Sequence, residues 1–271
     1  MHQHVPNDSV RAFPVFLDFA HALLEALKGN VPRILGSNLV GIYVYGSLTQ
    51  NAFEPKHSDI DCIVVTRRDL SDAQFTRLDE WFQRSAGSNP WTTRLQITFL
   101  LRDEVLIMNS KACLYQFGQL KRCGSDGNPI IWLNVLQSGI VLYGPPASTF
   151  VPTITREVLF QALEREVGYL REEIGEKPIS DWRDVPSYKV YAVLTLCRIL
   201  YSFNKGTIVS KPNAAKWAIK QMGDHSSGII RQALTSGISL QSPAIDLSQI
   251  QLFIRFVDHQ LRSLSIETNT T

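Results

Sequence analysis

The sequence lacks the features that mark membrane-spanning, secreted and nucleic-acid-binding proteins. No apolar run approaches the ~20 residues needed to cross a bilayer, and the N-terminal residues show no basic stretch followed by an apolar one. We therefore expect neither a membrane span nor a signal peptide. Lys and Arg number 27 against 25 Asp and Glu, a net charge of +2. This excess is too small to indicate binding to nucleic acid or to a membrane surface.

Cysteine is scarce, and its spacing excludes the common zinc and redox motifs. The four residues, Cys62, Cys113, Cys123 and Cys197, form no CxxC pair, and the six His residues show no metal-ligand spacing. Cys62 and Cys197 lie within apolar patterns, which favours buried free thiols in a reducing compartment. We therefore predict a cytoplasmic protein, and we expect a monomer.

The chain is long enough for two domains, and its pattern changes where proline and small residues cluster. It has 271 residues, of which 44% are hydrophobic and 19% are charged, as in ordinary globular proteins. The segment "LYGPPASTFVP" (142–152) interrupts the regular patterns. It predicts a domain of residues 1–148 and a second of residues 149–271.

The first domain mixes helical and strand patterns, whereas the second is almost entirely helical. Short runs rich in β-branched and aromatic residues predict strands at 39–47, 59–68 and 94–101. A helix is predicted from residue 14 to a C-terminal signal at Gly29-Asn30, and Ser71-x-x-Gln74 resembles a capping box that opens another. The fold class is thus an α/β (α+β) domain with a mixed sheet, followed by an all-α helical bundle.

Two carboxylates one residue apart stand at the start of the second predicted strand. Residues two apart in a strand point to the same face, so Asp59 and Asp61 are expected to project together. Either they lie at an exposed strand end, or a hard cation such as Mg²⁺ compensates their repulsion. The preceding strand ends in Gly46-Ser47, where backbone N–H groups and a hydroxyl can approach a phosphate. The two motifs together indicate a phosphate and metal site more strongly than either motif does alone.

These residues also carry a resemblance to a known family. "YGSLTQNAFEPKHSDIDCIVV" (45–65) resembles the signature of polymerase-β-like nucleotidyltransferases. Within them, "VLTLCRILYSFNKGTIVSKPNAAKWAI" (193–219) and the junction "LYGPP" are similar to the aminoglycoside 3''/9 adenylyltransferases. The resemblance implies a nucleotidyltransferase domain, a helical domain that binds substrate and nucleotide, and transfer of AMP from ATP to a hydroxyl of an aminoglycoside-type antibiotic.

The resemblance also implies roles for individual residues. Asp59 and Asp61 are expected to hold Mg²⁺, with two ions expected at the triphosphate. The nucleotide-binding positions that the resemblance implies are Gly46, Ser47, Ser58, Arg198, Lys211 and Phe256. Arg198 lies in a strongly apolar helical pattern, where a cation needs a ligand or a carboxylate partner. For Lys211 the sequence is equally compatible with a solvated loop position. For Phe256 it is equally compatible with a position in the hydrophobic core.

The chain departs from the family at the position of its general base. Relatives carry Glu on the third strand, where this chain has Gln96. An amide cannot accept the proton of an attacking hydroxyl. Three interpretations remain open: an engineered inactive variant, a natural enzyme with weak or relocated base chemistry, or a nucleotide-binding protein with little catalysis. Asp103 and Glu104 follow the strand and are more typical of a solvated turn than of a replacement base.

The acceptor positions depart as well. Where relatives that modify streptomycin have an acidic residue and Trp, this chain has Gln119 and Leu120, and another acidic position aligns with Tyr188. Asp181 is a candidate for an acidic acceptor residue that this chain retains. Because aminoglycosides are polycations, fewer carboxylates favour spectinomycin over the guanidinium-bearing streptomycin. A different acceptor, such as a protein side chain, also remains open. No nucleic-acid or membrane partner is expected.

Overall fold

The computed structural model describes residues 18–55, 58–176, 186–222, 224–236 and 245–268. Within these residues the strands are β1 (Leu39–Tyr45), β2 (Ile60–Thr66), β3 (Leu95–Leu101), β4 (Lys111–Gln116), β5 (Gln119–Gly124) and β6 (Ile140–Tyr143). The helices are α1 (Asp18–Leu35), α2 (Asp72–Ser88), α3 (Pro129–Ser138), α4 (Arg156–Arg171), α5 (Pro186–Lys205), α6 (Lys211–Gln221), α7 (Asp224–Ser236) and α8 (Leu247–Thr268).

The strands form one mixed sheet, as the sequence predicted. Their order is β5-β4-β3-β2-β1-β6, and among these neighbours β2 and β3 run parallel while the other pairs are antiparallel. The three predicted strands are present, each slightly shorter than its sequence pattern. β4, β5 and β6 were not predicted. In β5 every residue except Leu120 is exposed, so the hydrophobic alternation that identifies a strand is absent there.

The first helix extends beyond its predicted end. The prediction placed the C-terminus at Gly29-Asn30, but α1 continues to Leu35 with Pro32 inside it. Val31 and Leu35 are 0% and 3% exposed, and burying two aliphatic side chains outweighs the weak local stop signals. The capping box of α2 is confirmed. Ser71 Oγ accepts from the Gln74 backbone N–H, and Gln74 Oε1 accepts from the Ser71 backbone N–H, each at 3.2 Å.

The sheet has a hydrophobic layer on each face. Alternate residues of the central strands, among them Val44, Cys62 and Ile97, pack under α1 and α2. The other face carries a second layer in which Tyr43, Trp132 of α3 and Phe150 make edge and tilted ring contacts. Cys62 and Cys197 are buried free thiols, as predicted.

The helices α4 to α8 build a separate core beside the sheet domain. α5 lies at its centre, since α4, α6, α7 and α8 all contact it. Gln137 of α3 links the two parts by accepting a hydrogen bond of 2.8 Å from the backbone N–H of Ile208, just before α6. This contact brings the N-terminus of α6 towards the sheet. Among the described helices, none is long and apolar enough to cross a membrane.

Candidate nucleotide and acceptor site

The sheet topology brings Gly46, Asp61 and Gln96 to one edge. Tyr45, the last residue of β1, pairs with Asp61 near the start of β2 because these strands are antiparallel. Asp61 in turn pairs with Gln96, because β2 and β3 are parallel and begin at the same level. The end of one strand and the beginnings of two others therefore meet at a single place.

Gly46 is required by its conformation and by its contact with Asp61. Its φ is +80°, a region that favours glycine, and a Cβ built on it would lie 2.2 Å from Asp61 Oδ2. It opens the tight turn Gly46–Leu48, in which the Ser47 carbonyl accepts from the backbone N–H of Ala52 at 3.0 Å. The turn thus lies directly against the carboxylate, with the partly buried Ser47 next to it.

The two aspartates occupy unequal environments. Burial, and then the negative charge of Asp59, raise the pKa of Asp61 to about 7, while Lys211 and Arg198 act in the opposite direction. Burial also raises the pKa of Asp59, and Arg94 and Lys211 lower it. The Asp59 side chain is half exposed, with Oδ1 4.0 Å from Arg94 Nε. A buried carboxylate beside a second one is stabilised in its charged form by a cation.

Arg94 fixes the loop that carries Asp59, a role that the sequence did not indicate. Its guanidinium donates to the carbonyls of Pro55 and Ser58 and stacks 4.3 Å above the Trp91 ring. The predicted phosphate contact Ser58 contributes to the same loop, since its Oγ accepts from the Glu54 backbone N–H at 2.9 Å. The available sequence signal for this role was a basic residue two positions before Gln96.

The helical domain supplies two cations that face the aspartates. Arg198 lies on α5 and Lys211 is the first residue of α6. Burial and the charge of Arg198 lower the pKa of Lys211 to about 7, whereas Asp61, Glu166 and Asp59 oppose that shift. Lys211 Nζ lies 4.1 Å from the centroid of the Tyr191 ring. Both predicted cations thus lie close enough to Asp61 to lower its pKa.

Glu166 joins this charged group, and the sequence interpretation missed it. It lies on α4 next to Val167 and three residues after Leu163, on the face that packs into the helical core. Burial raises its pKa, while Arg198 and Lys211 lower it. An acidic residue on the apolar stripe of an amphipathic helix was the signal that could have revealed it, because such a charge needs a partner.

The predicted acceptor residues lie in different parts of the structure. Gln119 is exposed on β5, and Tyr188 is half-buried on α5 with its ring stacked on that of Tyr191 at 5.9 Å. The prediction that Leu120 is an acceptor residue has to be corrected. It is only 8% exposed and packs in the layer under α1 and α2, whereas Asp61 and Gln96 point to the opposite face. Strand alternation therefore turns Leu120 away from the site. Asp181 lies outside the described residues.

Three further residues that the sequence analysis considered lie away from these contacts. Phe256 on α8 is 36% exposed, so it is not the core residue that its pattern allowed, and its ring stacks on Phe253 at 6.4 Å. Its place against a nucleotide stays a prediction. Asp103 and Glu104 follow β3 at the end opposite to Gln96, so they cannot replace a base at position 96.

A magnesium ion fits this site as part of a nucleotide complex. Among the described residues no group of three or more His, Cys, Asp or Glu side chains could enclose a metal. The raised pKa of Asp61 beside Asp59 nevertheless indicates a pair that a divalent cation would stabilise. Mg²⁺ commonly takes one or two carboxylates and completes its shell with water and substrate phosphates. The pair therefore fits such an ion better than an all-protein metal cage.

Two family models match the chain, one on each part. "Nucleotidyltransferase domain" matches residues 23–98, and "Aminoglycoside adenylyltransferase, C-terminal domain" matches residues 149–262. Together they include β1, β2 and most of β3, with Asp59, Asp61 and Gln96, as well as the helices that carry Arg198 and Lys211.

Similar proteins cover most of the chain at low identity. A spectinomycin 9-adenylyltransferase of Campylobacter jejuni is 23% identical over 214 residues, which are 74% of this chain and 78% of the relative. An aminoglycoside (3'') (9) adenylyltransferase of Klebsiella pneumoniae is 24% identical over 257 residues, 88% of this chain and 93% of the relative. The fold is that of the crystal structure of spectinomycin adenyltransferase AAD(9) from Enterococcus faecialis with ATP and spectinomycin. The TM-score is 0.67 at 17% identity, over 89% of this chain and 99% of that one.

Proposed function

Because the chain belongs to the aminoglycoside adenylyltransferase family of nucleotidyltransferases, we propose that it transfers AMP from Mg²⁺-bound ATP to a hydroxyl group of an aminoglycoside-type antibiotic. The observation that supports this most directly is the meeting of Gly46 and Asp61 at one sheet edge, opposite Arg198 and Lys211. A tight glycine turn, an acidic pair and two cations are the groups that a metal-bound triphosphate requires.

In this proposal each element of the site has a separate task. Position 46 has no side chain, so the turn Gly46–Leu48 packs directly against the Asp61 carboxylate, and the Ser47 hydroxyl with the backbone of the turn would contact the phosphates. Arg198 and Lys211 donate to phosphate oxygens from the helical domain, and this interaction would return Lys211 to its charged form. Asp59 and Asp61 are the residues that would hold Mg²⁺, which supplies positive charge at the phosphoryl oxygens when bound. Their combined charge balances one divalent ion, so a second ion would depend mainly on the triphosphate.

The acceptor hydroxyl is placed next to Gln96 in this proposal. Gln96 pairs with Asp61 and is partly buried, so its amide can hold the hydroxyl but cannot take its proton. In a loose phosphoryl transfer the proton can leave to water or to a phosphate oxygen, at a lower rate. Spectinomycin is favoured over streptomycin as the acceptor because Gln119 is neutral and Leu120 is buried away from the site.

A second function is favoured by Gln96 itself. If the amide abolishes transfer, the chain is a nucleotide-binding protein that keeps the ATP site and has little catalysis. Loss of a general base typically costs about 10²–10⁴ in rate, so the two functions differ measurably in turnover and not in ATP binding.

The decisive experiment measures transfer and binding on the same preparation. The protein is incubated with Mg²⁺ and α-labelled ATP together with spectinomycin, streptomycin or no acceptor, and label transfer is followed by chromatography. Asp59→Asn tests the acidic pair, and Asp103→Asn is the matched control because this exposed carboxylate lies beyond the far end of β3. We expect transfer to spectinomycin that Asp59→Asn abolishes and Asp103→Asn preserves. ATP binding without transfer to either antibiotic would contradict the proposed enzyme, and absence of ATP binding would contradict both functions.

A further inference from the structure

Helix α3 packs between the two hydrophobic cores of the molecule. Its residues Trp132 and Val135 are buried in the layer on the sheet that contains Tyr43. Ile130 is buried in the core of the helices α4 to α8, and Leu133 packs against the same core. Residues 130 and 133 share one side of a helix, whereas residues 132 and 135 share another. α3 therefore contacts both parts of the chain, each with a different face.

A polar network between α3 and the sheet domain holds both backbone groups of Gly46. The Gly46 N–H donates to Asn134 Oδ1 over 3.5 Å, and the Gly46 carbonyl accepts from Thr49 Oγ1 at 3.1 Å. The Ser138 hydroxyl lies 3.2 Å from the same Asn134 oxygen and 3.5 Å from Thr49 Oγ1. Asn134 and Thr49 are only 5% and 4% exposed. Because buried polar groups are held by their partners, this network fixes the turn that lies against Asp61.

The next residues of α3 reach the helical domain. Gln137 Oε1 accepts a hydrogen bond of 2.8 Å from the N–H of Ile208, which is buried in the helical core. Lys211 follows three residues later as the first residue of α6. Pro212 restricts the backbone at the start of that helix, and Lys211 Nζ lies 4.1 Å from the centroid of the Tyr191 ring. The position of Lys211 is therefore tied to Gln137 through a short connection.

We propose that α3 aligns the two halves of the nucleotide site, with Asn134 and Gln137 as positioning residues. This inference rests on the proposed transfer of AMP, because alignment matters when one triphosphate contacts both halves. Asn134 acts through the turn at Gly46. Gln137 acts through Ile208 on the position of Lys211. A site whose groups are already in place loses less conformational freedom on binding, so both contacts increase the affinity for ATP without touching it.

The test measures ATP binding in variants that remove each contact. α,β-Methylene-ATP, which cannot release AMP, is the non-hydrolysable ATP analogue and is titrated calorimetrically together with Mg²⁺. Gln137→Leu removes the acceptor at similar size, whereas Gln137→Glu keeps an acceptor oxygen at this exposed position. Asn134→Leu removes the contact to the turn, and Gln161→Leu is the matched control because Gln161 is exposed on α4. Thermal unfolding verifies the fold, and Ser138→Ala replaces Asn134→Leu if that variant is unstable.

The two Leu variants of α3 should bind the analogue more weakly. We expect Gln137→Leu and Asn134→Leu each to raise its Kd about threefold to tenfold, the effect of one hydrogen bond. Gln137→Glu should stay close to the wild-type value because an oxygen still accepts from the Ile208 N–H, and Gln161→Leu should equal the wild type.

A double-mutant cycle with Lys211→Met separates positioning from a general structural effect. If Gln137 acts through Lys211, Gln137→Leu loses most of its effect on the Kd in the Lys211→Met background. Asn134→Leu should keep its effect there, because the glycine turn does not depend on Lys211. A mere loss of stability would instead act equally in both backgrounds.

Hydrogen exchange of the Ile208 amide, measured by NMR without nucleotide, gives a readout that is independent of ATP. Gln137→Leu should accelerate this exchange, and Gln137→Glu should not. Wild-type affinity in both Leu variants, or an undiminished effect of Gln137→Leu in the Lys211→Met background, would overturn the inference and leave the proposed function in place. Failure of the wild-type protein to bind the analogue would overturn the proposed function and with it the role of α3 in binding, whereas the exchange of Ile208 would still show whether α3 holds the helical domain.

Discussion

The nucleotide side and the acceptor side of the candidate site differ in charge. The nucleotide side contains ionisable groups that perturb one another, with Asp59 and Asp61 on the sheet and Arg198, Lys211 and Glu166 on the helices. The acceptor side, one to three strands away, presents the amides of Gln96, Gln116 and Gln119. In the proposed function, donor binding depends on these charged groups, whereas proton removal depends on position 96, which carries an amide. We therefore expect substitutions in the two regions to affect ATP binding and AMP transfer differently.

Placing a carboxylate at position 96 should have the largest effect. We expect Gln96→Glu to raise kcat for AMP transfer about 10²–10⁴-fold, the usual contribution of a general base. Steady-state kinetics of pyrophosphate release with spectinomycin measure this change. Gln161→Glu adds the same charge on an exposed helix position and should leave kcat at the wild-type value. An unchanged rate in Gln96→Glu would show that the proton leaves by a route independent of position 96.

Removing a carboxylate from the nucleotide side should have the opposite effect on activity. We expect Asp61→Asn to lower kcat more than about 100-fold, since even a residue that only supports a metal ligand costs about 10–100-fold. Pyrophosphate release at saturating Mg²⁺ and ATP checks it, with Asp103→Asn as the control. Addition of EDTA should abolish the wild-type activity in the same assay. Activity that survives both changes would contradict the assignment of the metal site.

The substitution Asp61→Asn should stabilise the metal-free protein against unfolding. The pKa of Asp61 is raised from 3.8 to about 7, so the native state binds its proton more tightly than the unfolded chain does. Native stability is then lost as pH rises from about 4 to about 7, on the order of a few kcal/mol. Thermal unfolding in EDTA should therefore show Asp61→Asn more stable than wild type at pH 8, with the difference shrinking towards pH 4. A less stable variant at pH 8 would indicate that Asp61 is compensated within the protein.

Loss of a cation on the helical side should weaken the binding of ATP without affecting the binding of the acceptor. We expect Lys211→Met to lower the affinity for the ATP analogue about 10- to 100-fold, the value of a hydrogen bond to a charged group. Calorimetric titration measures the Kd, and Lys216→Met is the control, because Lys216 is exposed on the same helix. Equal affinities for the two variants would place Lys211 outside the phosphate site.

Substitution in the turn Gly46–Leu48, which follows β1, should affect the stability of the fold. We expect Gly46→Ala to lower the free energy of unfolding by about 1–3 kcal/mol, because a residue with a Cβ is strained at φ +80° and meets the Asp61 carboxylate. Chemical denaturation measures it. Gly29→Ala, a helix position with nothing within 4 Å, should instead stabilise by about 0.5–1 kcal/mol. A loss at position 29 as large as at position 46 would contradict this explanation.

Local sequence signals predicted the central part of the fold and the nucleotide side of the site. β1, β2 and β3 are short apolar runs and were found, whereas β4 and β5 join through a hairpin whose second strand is mostly exposed. The acidic pair and the glycine turn lie within fifteen residues of each other, so one stretch of sequence contains both. Arg94 and Glu166 were missed because their partners lie on other elements.

What the sequence determined by itself was a mixed-sheet domain followed by a helical bundle, an acidic pair beside a glycine turn, and an amide at position 96, where the family resemblance implies a general base. Only the tertiary structure decided which residues lie together. The register of four strands aligned Gln96, Gln116 and Gln119 with Asp61, and the same register turned Leu120 into the opposite layer. The physical reason is that side-chain direction in a sheet depends on pairing between strands far apart in the chain, which no local pattern specifies.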